Sequence, residues 1–206
     1  MNRLLVVDTE TSGLDPLVNG ILALGAVVWE DGKIVDELQV FVSDQDCEVD
    51  PESMAINGID LAWLASCGLP PSDAVDALEL FMEKNGVKEG KMKQAKVAGH
   101  NLTFDIPFLK RLYRKTDRSY DSSFSHRTID TASVLGFLIL AGALPPHVGG
   151  SSAAFDYFGI QLSRGARHTA LGDAIATARL LTALLELLQR PEIAEVRSPS
   201  KRASVG

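Results

Sequence analysis

The chain is organised around the segment LLVVDTETSG, residues 4–13. Its first four residues form an apolar run, which predicts a short strand buried on both faces, and the polar residues after it predict a turn. Asp8 is therefore expected where the strand ends. Side chains two apart in an extended segment lie on the same side, so the carboxylates of Asp8 and Glu10 should face one point. Ordinary loop acids are the alternative interpretation, because a single Asp-x-Glu is a weak signal.

The rest of the chain predicts a mixed sheet flanked by helices, which is the α/β class. Strands at 21–30 and 33–42 are joined by Asp31-Gly32, a strong signal for an antiparallel hairpin. Short strands at 95–99 and 127–129 bring the expected number to five. The pattern further predicts a short helix or two turns at 51–59, and helices at 72–84, 104–115, 131–141, 153–158 and 169–189.

A second group of polar residues is HNLTFD, residues 100–105, which follows a predicted strand and opens a predicted helix. Asp105 stands where that helix begins, and Asp is a favoured helix N-cap. His100 and Asn101 can likewise fix the loop through hydrogen bonds to the backbone. Each of these residues therefore has a structural explanation as well as a chemical one.

A third group is HTALGD, residues 168–173. His168 and Asp173 come together only if His168 precedes the last helix, with Thr169 as the cap and Asp173 in the first turn. That helix is apolar on nearly every side and should be buried, so the Asp173 carboxylate needs a partner. A metal ion would supply one, and Arg167 is the competing candidate. Arg164 and Arg167 both adjoin His168.

The four acids in these groups, Asp8, Glu10, Asp105 and Asp173, make chemical sense as one site. Carboxylates that lie close together repel one another, and each raises the pKa of its neighbours unless a cation lies between them. Ligands that are all oxygen favour a hard divalent ion such as Mg²⁺ or Mn²⁺ over zinc. The sequence thus predicts a metal site, provided that the fold brings the groups together.

In their order along the chain, three motifs resemble those of the DEDDh family of 3′-to-5′ exonucleases: Asp8-Thr9-Glu10-Thr11-Ser12-Gly13, then Gly99-His100-Asn101 with Phe104-Asp105, and finally His168-x-Ala170-x-x-Asp173. That family includes the proofreading subunit of bacterial replicative DNA polymerase, ribonuclease T and oligoribonuclease. The resemblance implies an RNase H-like fold, in which a mixed five-stranded sheet has helices on both faces and its second strand runs antiparallel to the rest.

The resemblance also implies a mechanism with two ions of Mg²⁺ or Mn²⁺. One ion would be bound by Asp8, Glu10 and Asp173, and the other by Asp8 and Asp105. His168 would be the general base that takes a proton from the attacking water. The product would be a nucleoside 5′-monophosphate. The residues expected to contact the substrate are Thr9, Thr11, Gly13, Leu14, His100, Asn101 and Phe104.

The net charge of −7, from 20 Lys and Arg against 27 Asp and Glu, argues against a protein that coats nucleic acid. It is compatible with an enzyme that binds one end of a strand. The resemblance implies that the partner is a single-stranded 3′ end of DNA or RNA. The resemblance suggests two further partners. One is a DNA polymerase or another replication or repair protein, and the other is a second copy of the chain in a homodimer.

No apolar run approaches the roughly 20 residues that span a bilayer, and the N-terminal residues do not form a signal peptide. We therefore expect no membrane association and a cytoplasmic protein. An exonuclease domain is expected over residues 1–190 and a flexible tail over 191–206. Two other functions stay open: a catalytically silent assembly module on the same fold, and a related metal-dependent endonuclease.

Overall fold

The computed structural model describes residues 3–89, 94–163, 165 and 167–189, so the predicted tail at 191–206 lies outside the described residues. The strands are β1 (Arg3–Thr11), β2 (Ile21–Glu30), β3 (Lys33–Phe41), β4 (Lys88–Glu89), β5 (Gln94–Ala95), β6 (Val97–Gly99) and β7 (Ile129–Asp130). The helices are α1 (Pro51–Asn57), α2 (Leu61–Cys67), α3 (Pro71–Lys84), α4 (Leu102–Lys115), α5 (Tyr120–Ser123), α6 (Thr131–Leu140), α7 (Ser151–Tyr157) and α8 (Ala170–Leu188), with a 3-10 turn at Pro146–Gly149.

Five strands form one mixed sheet in the order β3-β2-β1-β6-β7. β2 is antiparallel to both β1 and β3, whereas β1, β6 and β7 are mutually parallel. The predicted sheet, with five strands and only the second one reversed, is therefore confirmed. A separate two-stranded ribbon of β4 and β5, together with helices α2 and α5, was not predicted.

The hairpin between β2 and β3 forms as predicted. Asp31 and Gly32 both have positive φ, 45° and 92°, as a tight two-residue hairpin turn requires. Glu30 pairs with Lys33 directly across the turn. The hairpin therefore makes β2 and β3 antiparallel neighbours at one edge of the sheet.

The side chains of β1 alternate between two cores, as expected for a strand covered on both faces. Leu5 and Val7 pack in the core that includes apolar residues of α3 and α4. Leu4 and Val6 point the other way, into a core completed by Ala178 and other residues of α8. Helices thus cover both faces of the sheet. Within the described residues, no helix is both long and apolar enough to cross a bilayer.

The prediction that β1 ends at Asp8 is wrong, and the reason lies in its two neighbours. On one side β1 pairs with β2 as far as Thr11. On the other side its parallel pairing with β6 covers only Leu5 and Val6. Asp8 therefore lies inside a strand that is paired with β2 but no longer with β6 at that point.

Three predicted helix starts also differ from the structure. α7 begins at Ser151, directly after the extended Gly150, and not at 153. α4 begins at Leu102, after Asn101 in the left-handed conformation with φ 65°, so Asp105 is not its N-cap. α3 begins at Pro71, one residue ahead of the predicted start at 72, because a proline is favoured in the first turn of a helix. The last helix, by contrast, has the predicted Thr169 cap.

Candidate active site

Three carboxylates meet at the carboxyl-terminal half of β1. Asp8 and Glu10 continue the face of β1 that carries Leu4 and Val6, and that face is turned toward α8. Asp173 lies in the first turn of α8. One carboxylate oxygen from each of these acids lies within 4.8 Å of the others, which is close enough for all three to bind one cation.

The close approach of α8 to the sheet depends on Gly25 in the middle of β2. Gly25 is the register partner of Asp8, so it lies directly beside the carboxylates. A Cβ atom at Gly25 would lie 2.2 Å from the carbonyl oxygen of Ala170, the first residue of α8. The missing side chain therefore lets the start of α8, and with it Asp173, reach the strand.

Asp105 reaches the site from the opposite face of the sheet. It is 4% exposed and accepts a hydrogen bond of 2.7 Å from the Thr9 hydroxyl. Thr9 continues the face of β1 that carries Leu5 and Val7, so this contact joins β1 to α4. Asp105 is near enough to Asp8 to raise the pKa of Asp8. It stands beside the group of three rather than inside it.

The pKa values of the four carboxylates are raised, as expected for a site that binds cations. Burial, and then the charges of Asp105, Asp173 and Glu10, raise the pKa of Asp8 well above its ordinary value. Burial and the nearby carboxylates raise the pKa of Glu10 to about 7, and burial raises that of Asp105 to about 6. Burial also raises the pKa of Asp173. Divalent cations would relieve the repulsion that these shifts reflect.

Arg167 is in direct contact with the cluster, as the sequence allowed. Its Nη1 donates to Oδ1 of Asp173 at 2.5 Å, and its Nη2 donates to Oγ of Ser152 at 2.8 Å. The guanidinium lies over the Phe155 ring, 5.0 Å from the ring centroid. The charge of Arg167 lowers the pKa values of Asp8, Glu10 and Asp173 against the effect of burial. Arg164 lies outside the described residues.

His168 precedes α8, which is the placement that the sequence required for its convergence with Asp173. It has φ 59°, a left-handed conformation, and its side chain is exposed. Its backbone N–H donates to the Asp173 carboxylate. Thr169 then caps the helix, accepting a hydrogen bond of 3.1 Å from the Gly172 N–H. The histidine is thus fixed beside a carboxylate while its ring faces solvent.

His100 and Asn101 stabilise the loop between β6 and α4. Nδ1 of His100 lies 2.9 Å from the Thr131 hydroxyl, and burial lowers the His100 pKa. The Asn101 N–H donates to the carboxylate of Asp130, and the Asn101 side chain accepts from the Thr103 hydroxyl. Asp130 also caps α6. Both residues therefore fix the loop, but their side chains bond to the hydroxyls of Thr131 and Thr103 and not, as predicted, to the backbone.

The remaining predicted substrate contacts differ in accessibility. The Thr11 hydroxyl is occupied by a bond of 2.7 Å to the Gly13 carbonyl oxygen. A side chain at Gly13 would collide with Asn19 at 2.3 Å, so the turn requires glycine. Leu14 is 75% exposed and free to meet a ligand. Phe104 is half-buried, with its ring centroid 5.0 Å from that of Phe108.

Sequence reasoning missed the contribution of α1. Nδ2 of Asn57 donates to the Thr11 carbonyl oxygen at 3.1 Å and so attaches α1 to the end of β1. Ile56, next to it, is 68% exposed, and Leu17 in the preceding loop is exposed as well. Leu14, Leu17 and Ile56 are thus exposed apolar residues in segments that follow β1 or are attached to its end. The sequence does carry a signal for these residues. A leucine in a turn has no core in which to pack, so it is expected to be exposed and able to contact a ligand.

Comparison with known proteins identifies the family. The sequence matches the RNase T exonuclease family model over residues 5–181. It is 27% identical to ribonuclease T of Actinobacillus pleuropneumoniae over an alignment of 196 positions that covers 90% of this chain and 84% of that protein. It is 29% identical to the PolC-type DNA polymerase III of Thermotoga petrophila over 188 residues, 90% of this chain and 12% of that protein.

A solved structure shows the same fold. The nuclease domain of 3′hExo, a DEDDh family member bound to rAMP, superposes with a TM-score of 0.72 at 16% sequence identity. The alignment covers 89% of this chain and 92% of that domain. The family resemblance predicted from the three motifs is confirmed, since the family model spans most of the sequence: the chain belongs to the RNase T family of exonucleases.

Proposed function

We propose that this protein is a metal-dependent 3′-to-5′ exonuclease that releases nucleoside 5′-monophosphates from single-stranded 3′ ends of DNA or RNA. The observation that carries the proposal is the convergence of Asp8, Glu10 and Asp173, whose oxygens lie within 4.8 Å of one another. These acids come from a strand and a helix more than 160 positions apart in the chain, at the places where the exonuclease motifs fall. Family membership supports the same conclusion.

The donor atoms fit Mg²⁺ or Mn²⁺, because every proposed ligand is a carboxylate oxygen. Asp8, Glu10 and Asp173 would bind one ion, and Asp8 with Asp105 would bind a second. When bound, such ions neutralise the phosphodiester and favour ionisation of the attacking water. Thr9 fixes one of these ligands through its bond of 2.7 Å to Asp105.

His168 is the proposed general base. Its exposed ring can reach water at the edge of the site, and its backbone N–H holds it against Asp173. In this role it removes a proton from the water that attacks phosphorus. A variant without the imidazole should keep residual activity, because the carboxylates still bind the ions. Variants without Asp8, Glu10, Asp105 or Asp173 should be nearly inactive.

We assign binding of the terminal bases to an apolar surface formed by the exposed side chains of Leu14, Leu17 and Ile56. All three side chains are exposed, and their segments join the end of β1 that carries the acids. Contact of a base with an apolar side chain requires an unpaired base and tolerates any sequence. The surface therefore supports a preference for single strands.

The activity test uses matched DNA and RNA oligonucleotides, single-stranded and duplex, each labelled at the 5′ or the 3′ end. We expect release of a labelled mononucleotide from 3′-labelled strands and a ladder from 5′-labelled strands, with Mg²⁺ or Mn²⁺ and not with chelator. Glu10→Gln should abolish both, whereas Asp73→Asn, an exposed acid of α3, should not.

A circular single strand distinguishes the other functions. An exonuclease leaves a circle intact, so internal cuts in it would establish an endonuclease instead. Failure of every substrate to release mononucleotides would favour a silent assembly module. The predicted homodimer and polymerase partner are proposals of the same kind. The molar mass in solution, alone and mixed with a replicative polymerase, measures both.

A further inference from the structure

The guanidinium of Arg167 has two kinds of contact, and only one of them involves the acids. Nη1 binds Asp173, while Nη2 binds Ser152 and the plane of the group lies over Phe155. Ser152 and Phe155 both belong to α7. Arg167 is therefore held to α7 independently of its ion pair with Asp173.

The ion pair uses a carboxylate that the proposed metal site also needs. Asp173 is one of the three acids whose oxygens lie within 4.8 Å of one another. A guanidinium and a divalent cation carry charge of the same sign, so they compete for the same carboxylate and repel each other at short distance. The arrangement with Arg167 on Asp173 is thus suited to a protein without bound ions.

A phosphate is another suitable partner for the guanidinium once a metal ion binds Asp173. The planar fork of donors that fits a carboxylate also fits a phosphate. A group in contact with a metal ligand is close to any phosphodiester that those ions hold. A cavity of about 290 Å³ is lined by Arg167 and Phe155, so there is open space beside the guanidinium.

We propose that Arg167 exchanges partners, leaving Asp173 when divalent cations bind and then donating to a phosphate of the nucleic-acid strand. This inference rests on the proposed exonuclease function and adds a substrate-binding residue to it. The exchange would make strong binding of the strand depend on the presence of the ions. The strand would then bind tightly only to the form of the enzyme that carries the divalent cations.

The first test measures Mn²⁺ binding by calorimetry without nucleic acid. Arg167→Ala should bind Mn²⁺ about fivefold more tightly than the wild type, because the competing charge is gone. Arg118→Ala is the matched control, since Arg118 also forms an ion pair, with Asp76, and should leave Mn²⁺ affinity unchanged. Unchanged or weaker Mn²⁺ binding by folded Arg167→Ala would overturn the exchange.

The second test measures binding of a single-stranded oligonucleotide by fluorescence anisotropy, in a His168→Ala background that slows cleavage. Adding Arg167→Ala should weaken binding about tenfold with Mn²⁺ and much less with chelator. Arg167→Lys keeps the charge without the fork, so its oligonucleotide affinity should also fall while its Mn²⁺ affinity stays near that of the parent.

An equal loss of oligonucleotide affinity with and without Mn²⁺, or no loss, would show that Arg167 does not bind the phosphate through this exchange. The two tests separate this inference from the proposed function. A wild type that binds Mn²⁺ but neither binds nor cuts oligonucleotides would refute the exonuclease and the phosphate contact together. The calorimetry would still decide whether Arg167 competes with the metal.

Discussion

Alternation along β1 determines which partner each side chain of the site meets. Asp8 and Glu10 face α8, while Thr9, between them, faces α4 and binds Asp105. The pair of strand acids could be predicted from their spacing of two. The contact of Thr9 with Asp105 could not, because it depends on which helix covers which face of the sheet.

Substitutions of Thr9 test whether its hydrogen bond to Asp105 favours the ionised form of that carboxylate. Thr9→Val keeps the shape but removes a hydroxyl that lowers the Asp105 pKa, so protonated Asp105 should persist to higher pH. We expect Mn²⁺ binding to weaken, its pH midpoint to rise, and the free energy of unfolding to fall by about 1–3 kcal/mol. Thr9→Ser retains the hydroxyl, so all three properties should stay near their wild-type values. A normal pH midpoint in Thr9→Val would contradict this role.

The raised pKa of Glu10 predicts how stability depends on pH without divalent ions. The folded protein binds the Glu10 proton more tightly than the unfolded chain, since the pKa rises from 4.5 to about 7. This contribution to stability is complete below pH 4.5 and is lost as the pH rises through 7. Asp105, with a pKa of about 6, acts in the same direction.

Thermal unfolding in chelator should therefore show a Tm that falls between about pH 5 and 7.5. Glu10→Gln should flatten the curve, and Mn²⁺ should remove the decline by stabilising the ionised acids. A wild-type Tm that increases over this range in chelator would show that burial and the neighbouring carboxylates do not raise these pKa values as the structure implies.

The elements differ in how well sequence reasoning located them. α8 was predicted almost to the residue, because a long apolar helix with a threonine cap gives strong signals. α5 has four residues and the strands of the β4-β5 ribbon have two each, too few for a periodic pattern. Gly25 was available as a signal, since a glycine inside a strand indicates a close approach of other backbone. Which backbone approaches cannot be read from the strand itself.

A methyl group at Gly25 should separate α8 from the sheet. Gly25→Ala would place Cβ 2.2 Å from the Ala170 carbonyl oxygen, and a backbone atom cannot rotate away. We expect a loss of about 2–4 kcal/mol in unfolding free energy and much weaker Mn²⁺ binding, because Asp173 moves with the helix. Circular dichroism melts and calorimetry measure the two effects.

Gly136→Ala is the matched control for this substitution. Gly136 lies inside α6, and a Cβ there would have no atom within 4 Å apart from its chain neighbours and the backbone of its own helix. Alanine favours a helix over glycine by about 1 kcal/mol, so this variant should be as stable as the wild type or more so. Equal behaviour of the two variants would rule out the close approach as the reason for glycine at position 25.

At the scale of the molecule, the strand number came from hydrophobic patterns, and the strand directions came from the hairpin and the family resemblance. The order of the strands needed the structure, because β6 and β7 are too short to show their neighbours in sequence. The division into a domain at 1–190 and a tail at 191–206 remains a prediction from composition.

Truncation tests that division. A chain that ends at residue 190 should keep the Tm of the full chain within about 2 °C, because the described helices and strands all lie before it. Its rate of mononucleotide release should also match that of the full chain. A lower Tm or rate would assign the last residues to the folded unit, and a scrambled tail of equal composition controls for charge.

The unequal pairing of β1 predicts which side of the sheet unfolds locally first. β1 is joined to β2 over nine residues but to β6 over only two positions, so local opening should begin on the β6 and α4 side. In native-state hydrogen exchange, amides of β6 should exchange before those that cross between β1 and β2. A transiently opened form would lose Asp105 first and keep the other three acids assembled, with one cation still attached to a partly unfolded enzyme.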